Sequence, residues 1–121
     1  MALVSRLNVV YLYVRDVGRS AAFYRDTLGI PVAGDDDWAE ATFPDGVRFA
    51  LHRAHEGIGE IGSGTMRIDF EVADIDEAAE RLRAAGVEIG EIELDFWGSA
   101  LEVVDPDGYR VHLFQPPVEG P

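Results

Sequence analysis

Two stretches of this chain repeat each other at long range, and that duplication constrains the fold more than any single motif. Val14-Arg15-Asp16 opens a segment running through Ala21, Phe23 and Leu28 to Gly29, and Val72-Ala73-Asp74 opens a second running through Ala78, Ala79 and Leu82 to Gly86. The two Asp residues are 58 positions apart (74 − 16). Pro44-Asp45-Gly46-Val47-Arg48 returns as Pro106-Asp107-Gly108-Tyr109-Arg110, 62 positions on (106 − 44). Two copies of about 60 residues point to a duplicated fold rather than a solenoid of many short repeats.

Each copy reads β-α-β-β-β. Leu7 to Val14 alternates, with Val10, Leu12 and Val14 on one face and Val9, Tyr11 and Tyr13 on the other, so it is a strand. Ser20 to Leu28 has helical apolar spacing and Gly29 stops it. Pro31 restricts Ile30 to Ala33 to a short edge strand. Trp38 to Phe43 and Val47 to Arg53 flank the turn Pro44-Asp45-Gly46 as a hairpin. In the second copy Met66 to Val72 is a strand, Asp74 to Ala85 a helix capped by Asp74, and Glu88 to Leu94, Ala100 to Val104 and Tyr109 to Phe114 are strands. The glycine-rich stretch 55–65 matches no phosphate-binding loop and reads as a linker between modules 5–54 and 66–115.

Composition excludes several classes of function. The 121 residues suffice for one domain of two small modules. No apolar run approaches the ~20 residues that span a membrane, and no signal-peptide layout opens the chain, so a cytoplasmic protein without a membrane partner is expected. Cysteine is absent, which removes disulfides, thiolate metal sites and cysteine nucleophiles. A net charge of −13 repels nucleic acid and favours cationic ligands in a focused cleft, besides keeping the protein soluble.

Val14-x-Asp16…Ser20-x-x-Phe23-Tyr24…Leu28-Gly29, with Trp97-Gly98…Asp105-Pro106-Asp107-Gly108-Tyr109-Arg110-Val111, resembles the vicinal oxygen chelate superfamily of glyoxalases, bleomycin resistance proteins and extradiol dioxygenases. The resemblance implies an α+β fold in which two βαβββ modules form a U-shaped cup, commonly in a homodimer. It also implies four positions for His or Glu ligands to a divalent ion, which fall here on Val9, Ala50, Arg67 and His112. Valine and alanine carry no donor and arginine is a permanent cation, so no metal or other cofactor is expected. A relocated site built from His52, His112, Asp69 and Glu71 is the remaining metal reading.

Strand alternation assigns the rest of the cup, because a one-residue slip would invert every side chain. The expected ligand-binding residues are Tyr11, Tyr13, Arg48, His52, Arg67, Asp69, Glu71, Arg110, His112 and Phe114, with Trp97 at the edge. Trp38 has no such support, and His52 and His55, three apart along a strand, are expected on opposite faces. Aromatic residues offer stacking surfaces and carboxylates meet a cation, whereas Arg67 and Arg110 would clamp an anion. The expected function is metal-independent capture of a cationic or aromatic small molecule such as an antibiotic. The alternatives are a lyase, isomerase or hydrolase using a cup carboxylate, foremost a desolvated Glu71, or His112 as acid/base, and a metal-dependent glyoxalase or dioxygenase with relocated ligands.

Overall fold

The computed structural model describes residues 7–62, 68–96 and 98–117. Its contacts divide the chain into two compact units, Met1–Ile61 and Gly62–Pro121.

In the first unit, β1 (Val9–Val14) leads into α1 (Val17–Ala22), a π-helical turn (Phe23–Thr27), and then β2 (Ala33–Gly34), β3 (Trp38–Thr42) and β4 (Arg48–Arg53). The strands form one sheet in the order β1-β4-β3-β2, with β1 parallel to β4 and the other neighbours antiparallel. The helix begins three residues earlier than its apolar spacing suggests. Asp16 caps it by accepting the Arg19 N–H at 3.0 Å, so Val17, buried, already belongs to it. Leu12, Val14, Phe49 and Leu51 point to the helix-covered side and are buried with Val17, Ala21 and Tyr24. This one-sided burial is what the alternation of β1 and β4 requires.

The second unit repeats the plan. It contains β5 (Asp69–Glu71), α2 (Ile75–Ala84), β6 (Glu93–Asp95), β7 (Gly98–Val104) and β8 (Arg110–Gln115), in the sheet order β5-β8-β7-β6. The expected start of β5 at Met66 and Arg67 lies outside the described residues. Asp74 accepts the Glu77 N–H at 3.1 Å, and the Gln115 side-chain oxygen accepts the Ile75 N–H at 2.8 Å, so two side chains satisfy the start of α2. Its buried residues Ile75, Ala79 and Leu82 are spaced by four and three, one helical stripe. They share the core with Leu101, Val103, Val111 and Leu113.

The edge of the second sheet departs from the sequence expectation of one strand over 88–94. Ile89 bridges Val103 and Gly90 donates to the Glu102 carbonyl at 2.9 Å, but farther along Glu93 pairs with Ala100. Opposed positions therefore sum to 192 before the break (89 + 103) and to 193 after it (93 + 100). One extra residue has entered the edge strand, which is a β-bulge. Among the described residues, no helix is long and apolar enough to cross a membrane.

Candidate functional site

The open face of the first sheet carries a continuous panel of rings. Register places Tyr13 beside His52 on β4, and His52 beside Trp38 on β3. Ring centroids lie 5.5 Å apart for Tyr11–Tyr13, 5.3 Å for Tyr11–Trp38, 5.2 Å for Tyr13–His52 and 5.6 Å for Trp38–His52. His55 joins through Tyr13 at 5.9 Å and His52 at 6.4 Å. All fall in the range of favourable aromatic pairs. Ala50, flanked in register by Tyr11 and Glu40, is fully buried beneath its larger neighbours.

The expectation that His52 and His55 face opposite ways is corrected here. β4 ends at Arg53, and Ala54 donates to the Val14 carbonyl as the chain turns, so strand alternation no longer governs His55. Trp38, set aside in the sequence, is a central ring. The hairpin turn sets its partner: Gly46 donates to the Phe43 carbonyl at 2.8 Å, Thr42 then pairs with Arg48, and counting back pairs Trp38 with His52.

Polar contacts fix the panel from its rim. The Asp35 carboxylate accepts the backbone N–H of Asp37 at 2.8 Å and of Trp38 at 3.0 Å, and these bonds lower its pKa. Trp38 Nε1 donates to Glu40 Oε1 at 3.1 Å, and Arg48 donates to Glu40 Oε2 at 3.1 Å and to Asn8 Oδ1 at 3.0 Å. Arg48, expected to meet a ligand, is thus occupied by a brace across the sheet. The Trp38 bond first, and then the Arg48 contacts, hold Glu40 below its ordinary pKa against an opposing effect of burial. The Tyr13 phenol is held above its ordinary value, chiefly by its hydrogen bond with Tyr11.

Acid should therefore loosen Trp38. A depressed carboxylate pKa contributes stability that is present above the ordinary value, 4.5 for Glu40, and lost as pH falls through the folded value. In a Trp97→Phe background, Trp38 emission is expected to carry a step below pH 4.5. Glu40→Gln should shift the emission already at neutral pH and remove the Glu40 step.

The open face of the second sheet is acidic instead. Asp69 lies beside His112, Glu71 beside Phe114, Glu102 beside His112 and Val104 beside Arg110. Arg110 donates to Glu102 Oε1 at 2.6 Å, while His112 Nε2 lies 3.8 Å from Glu102 Oε2, too far for a hydrogen bond. His112 Nδ1 is buried without a hydrogen-bond partner among the described residues. A cavity of about 160 Å³ is lined by Gly90, Glu91, Glu93, Ala100, Glu102 and His112. Glu91 falls in the bulged stretch, so the extra residue brings a carboxylate to the cavity that the expected straight strand does not predict. Glu71 is exposed, so the desolvation needed for a buried general base there is missing. Arg67 and Trp97, both expected at the site, lie outside the described residues.

The donor set does not fit a metal at the four family positions. Val9 and Ala50 present hydrocarbon, Arg67 is a guanidinium by sequence, and His112 alone has a donor atom. Among the described residues no three His, Asp or Glu side chains converge to hold an ion; of the relocated set, His52 stands on β4 of the first unit, and Asp69, Glu71 and His112 stand on β5 and β8 of the second.

Comparison with known proteins places this geometry in a family. Residues 6–113 match the model of the Glyoxalase/Bleomycin resistance protein/Dioxygenase superfamily. The chain is 30% identical over 125 residues to an ethylmalonyl-CoA/methylmalonyl-CoA epimerase of Cereibacter sphaeroides, covering 89% of this chain and 93% of the relative. Among solved structures it resembles TnmS3, an antibiotic-binding protein from Streptomyces sp. CB03234, with a TM-score of 0.79 at 22% identity, covering 97% of this chain and all of the other. A superfamily member from Sphaerobacter thermophilus gives a TM-score of 0.78 at 25% identity, covering 94% and 99%.

Proposed function

This chain belongs to the Glyoxalase/Bleomycin resistance protein/Dioxygenase superfamily, and from that premise we propose that it is a metal-independent binding protein that sequesters a flat aromatic or cationic small molecule, such as an antibiotic. The observation that carries this reading is the panel of Tyr11, Tyr13, Trp38, His52 and His55. Each ring contact with a flat ligand contributes about 0.5–1.5 kcal/mol beyond area burial, and a ligand cation over Trp38 or a tyrosine adds about 0.5–2 kcal/mol. The charge of −13 raises the local concentration of cations. The antibiotic binding named for TnmS3 agrees with this reading, although that likeness rests on fold alone.

Proflavine, a planar cation, is a suitable probe. In the Trp97→Phe background it should quench Trp38 emission, and by calorimetry its binding should weaken as salt rises and lose about tenfold in affinity in Trp38→Leu, the loss of about 1.4 kcal/mol of ring contact. Calorimetric affinity unchanged in Trp38→Leu, or no quenching of Trp38 in the presence of proflavine, would sink the proposal.

A second reading has its own observation. The epimerase relative, together with His112 and Glu102 at one cavity, supports an acid/base enzyme that moves a proton on a small acyl substrate. Deuterium incorporation from heavy water into methylmalonyl-CoA, lost in His112→Ala, would establish it, and its absence would leave the binding reading standing.

The protein is further proposed to work in the cytoplasm as a homodimer. Leu94 and Phe96, at the edge strand β6, are 81% and 79% exposed, an apolar edge that invites pairing. Light scattering should give twice the 13.3 kDa of the chain, and Leu94→Asp should move the population toward monomer.

A further inference from the structure

The two imidazoles of the ring panel spend their N–H donors internally and leave acceptors over, and this asymmetry specifies the chemistry of the ligand they select. His52 Nδ1 lies 2.8 Å from the carbonyl oxygen of Arg53, and His55 Nδ1 lies 2.7 Å from that of Glu56. A carbonyl oxygen only accepts, so both Nδ1 atoms carry the proton. In each neutral ring Nε2 is then the acceptor, and neither Nε2 has a hydrogen-bond partner among the described residues. Trp38 gives its Nε1–H to Glu40, Glu40 also takes Arg48, and one of the two tyrosine hydroxyls donates to the other, which keeps its own O–H.

We propose that the panel recognises planar aromatic molecules bearing hydrogen-bond donors on their rim, phenolic hydroxyls or ring-attached N–H groups, and that His52 and His55 are the residues that select them. This rests on the reading of the panel as the ligand site and narrows the ligand class. The two imidazoles stand 6.4 Å apart, close enough for one fused-ring ligand to meet both. A ligand with acceptors only would stack equally well yet leave both Nε2 lone pairs unmatched, and an unmatched polar group is the main source of discrimination between near-isosteres.

The test uses the full chain and two matched probes, 2,7-dihydroxynaphthalene and 2,7-dimethoxynaphthalene, followed by calorimetry and by Trp38 quenching in the Trp97→Phe background. The diol should bind about tenfold tighter than the diether. The double variant His52→Phe/His55→Phe keeps both rings and should bind the two probes alike. Equal affinity, or a preference that survives the double variant, overturns the selectivity proposal while leaving the ring panel as a binding site. Failure of both probes to bind, or binding indifferent to Trp38→Leu, overturns the panel reading itself and this inference with it.

Discussion

Tyr24→Ala is expected to lower the unfolding free energy by about 3–5 kcal/mol, which is a large share of the 5–15 kcal/mol typical of a domain. Tyr24 is fully buried, with its ring 5.2 Å from Phe23 and 5.0 Å from Phe49 on β4. It joins the helix to the sheet at the place where the helix is least regular. The π-helical turn Phe23–Thr27 ends with Leu28 donating to the Phe23 carbonyl at 3.2 Å and Ile30 donating to the Tyr24 carbonyl at 2.8 Å. Removing the ring leaves a cavity under β4, the strand that also carries His52, so ligand affinity should fall together with stability. Urea unfolding followed by circular dichroism measures the loss. A midpoint within error of wild type would show that the Tyr24 ring is not part of the core.

Local periodicity made the two opening strands and the final strands legible, since burial on one face forces a period of two. Leu12 and Val14, Phe49 and Leu51, and Val111 and Leu113 are all buried, as their alternation requires. The start of α2 is readable from its Asp74 cap, but the beginning of α1 is not, because Gly18 and Arg19 dilute the apolar spacing. The π-helical turn leaves no mark in the sequence: one extra residue per turn looks like ordinary helical spacing over five positions.

The candidate site divides along the same line. Tyr11, Tyr13 and His52 followed from alternation, and Trp38 was within reach had the hairpin register been counted from its turn. His55 was misplaced because a strand rule was carried two residues past the end of β4. Glu91 was hidden by a bulge, which inserts a residue without any composition signal apart from Gly90. Arg48 was recognised as facing the site but not as spent on Glu40 and Asn8, since pairing depends on a neighbour 8 residues away and another 40 residues away.

Gly98→Val is expected to cost about 3 kcal/mol or more, combining about 1–3 kcal/mol for a strained backbone with a similar penalty for overpacking. Gly98 sits at φ 139°, a conformation that valine disfavours, and it is buried at the start of β7. A Cβ placed there would overlap the Gln115 carbonyl oxygen and would stand 2.9 Å from Cζ of Phe114. The Gln115 carbonyl is backbone on β8 and does not give way cheaply, and the Phe114 ring would have to swing aside. Gln115 also holds the first N–H of α2, and Phe114 stands next to Glu71 on the open acidic face. The substitution should therefore loosen the second unit: amides of β7, β8 and the first turn of α2 should exchange faster, while Tyr11, Tyr13 and Trp38 on the first sheet keep their ring contacts. Amide hydrogen exchange read residue by residue separates these regions. Uniform protection throughout, or loss confined to the first sheet, would contradict the assignment of Gly98 as the close-packed junction of β7 and β8.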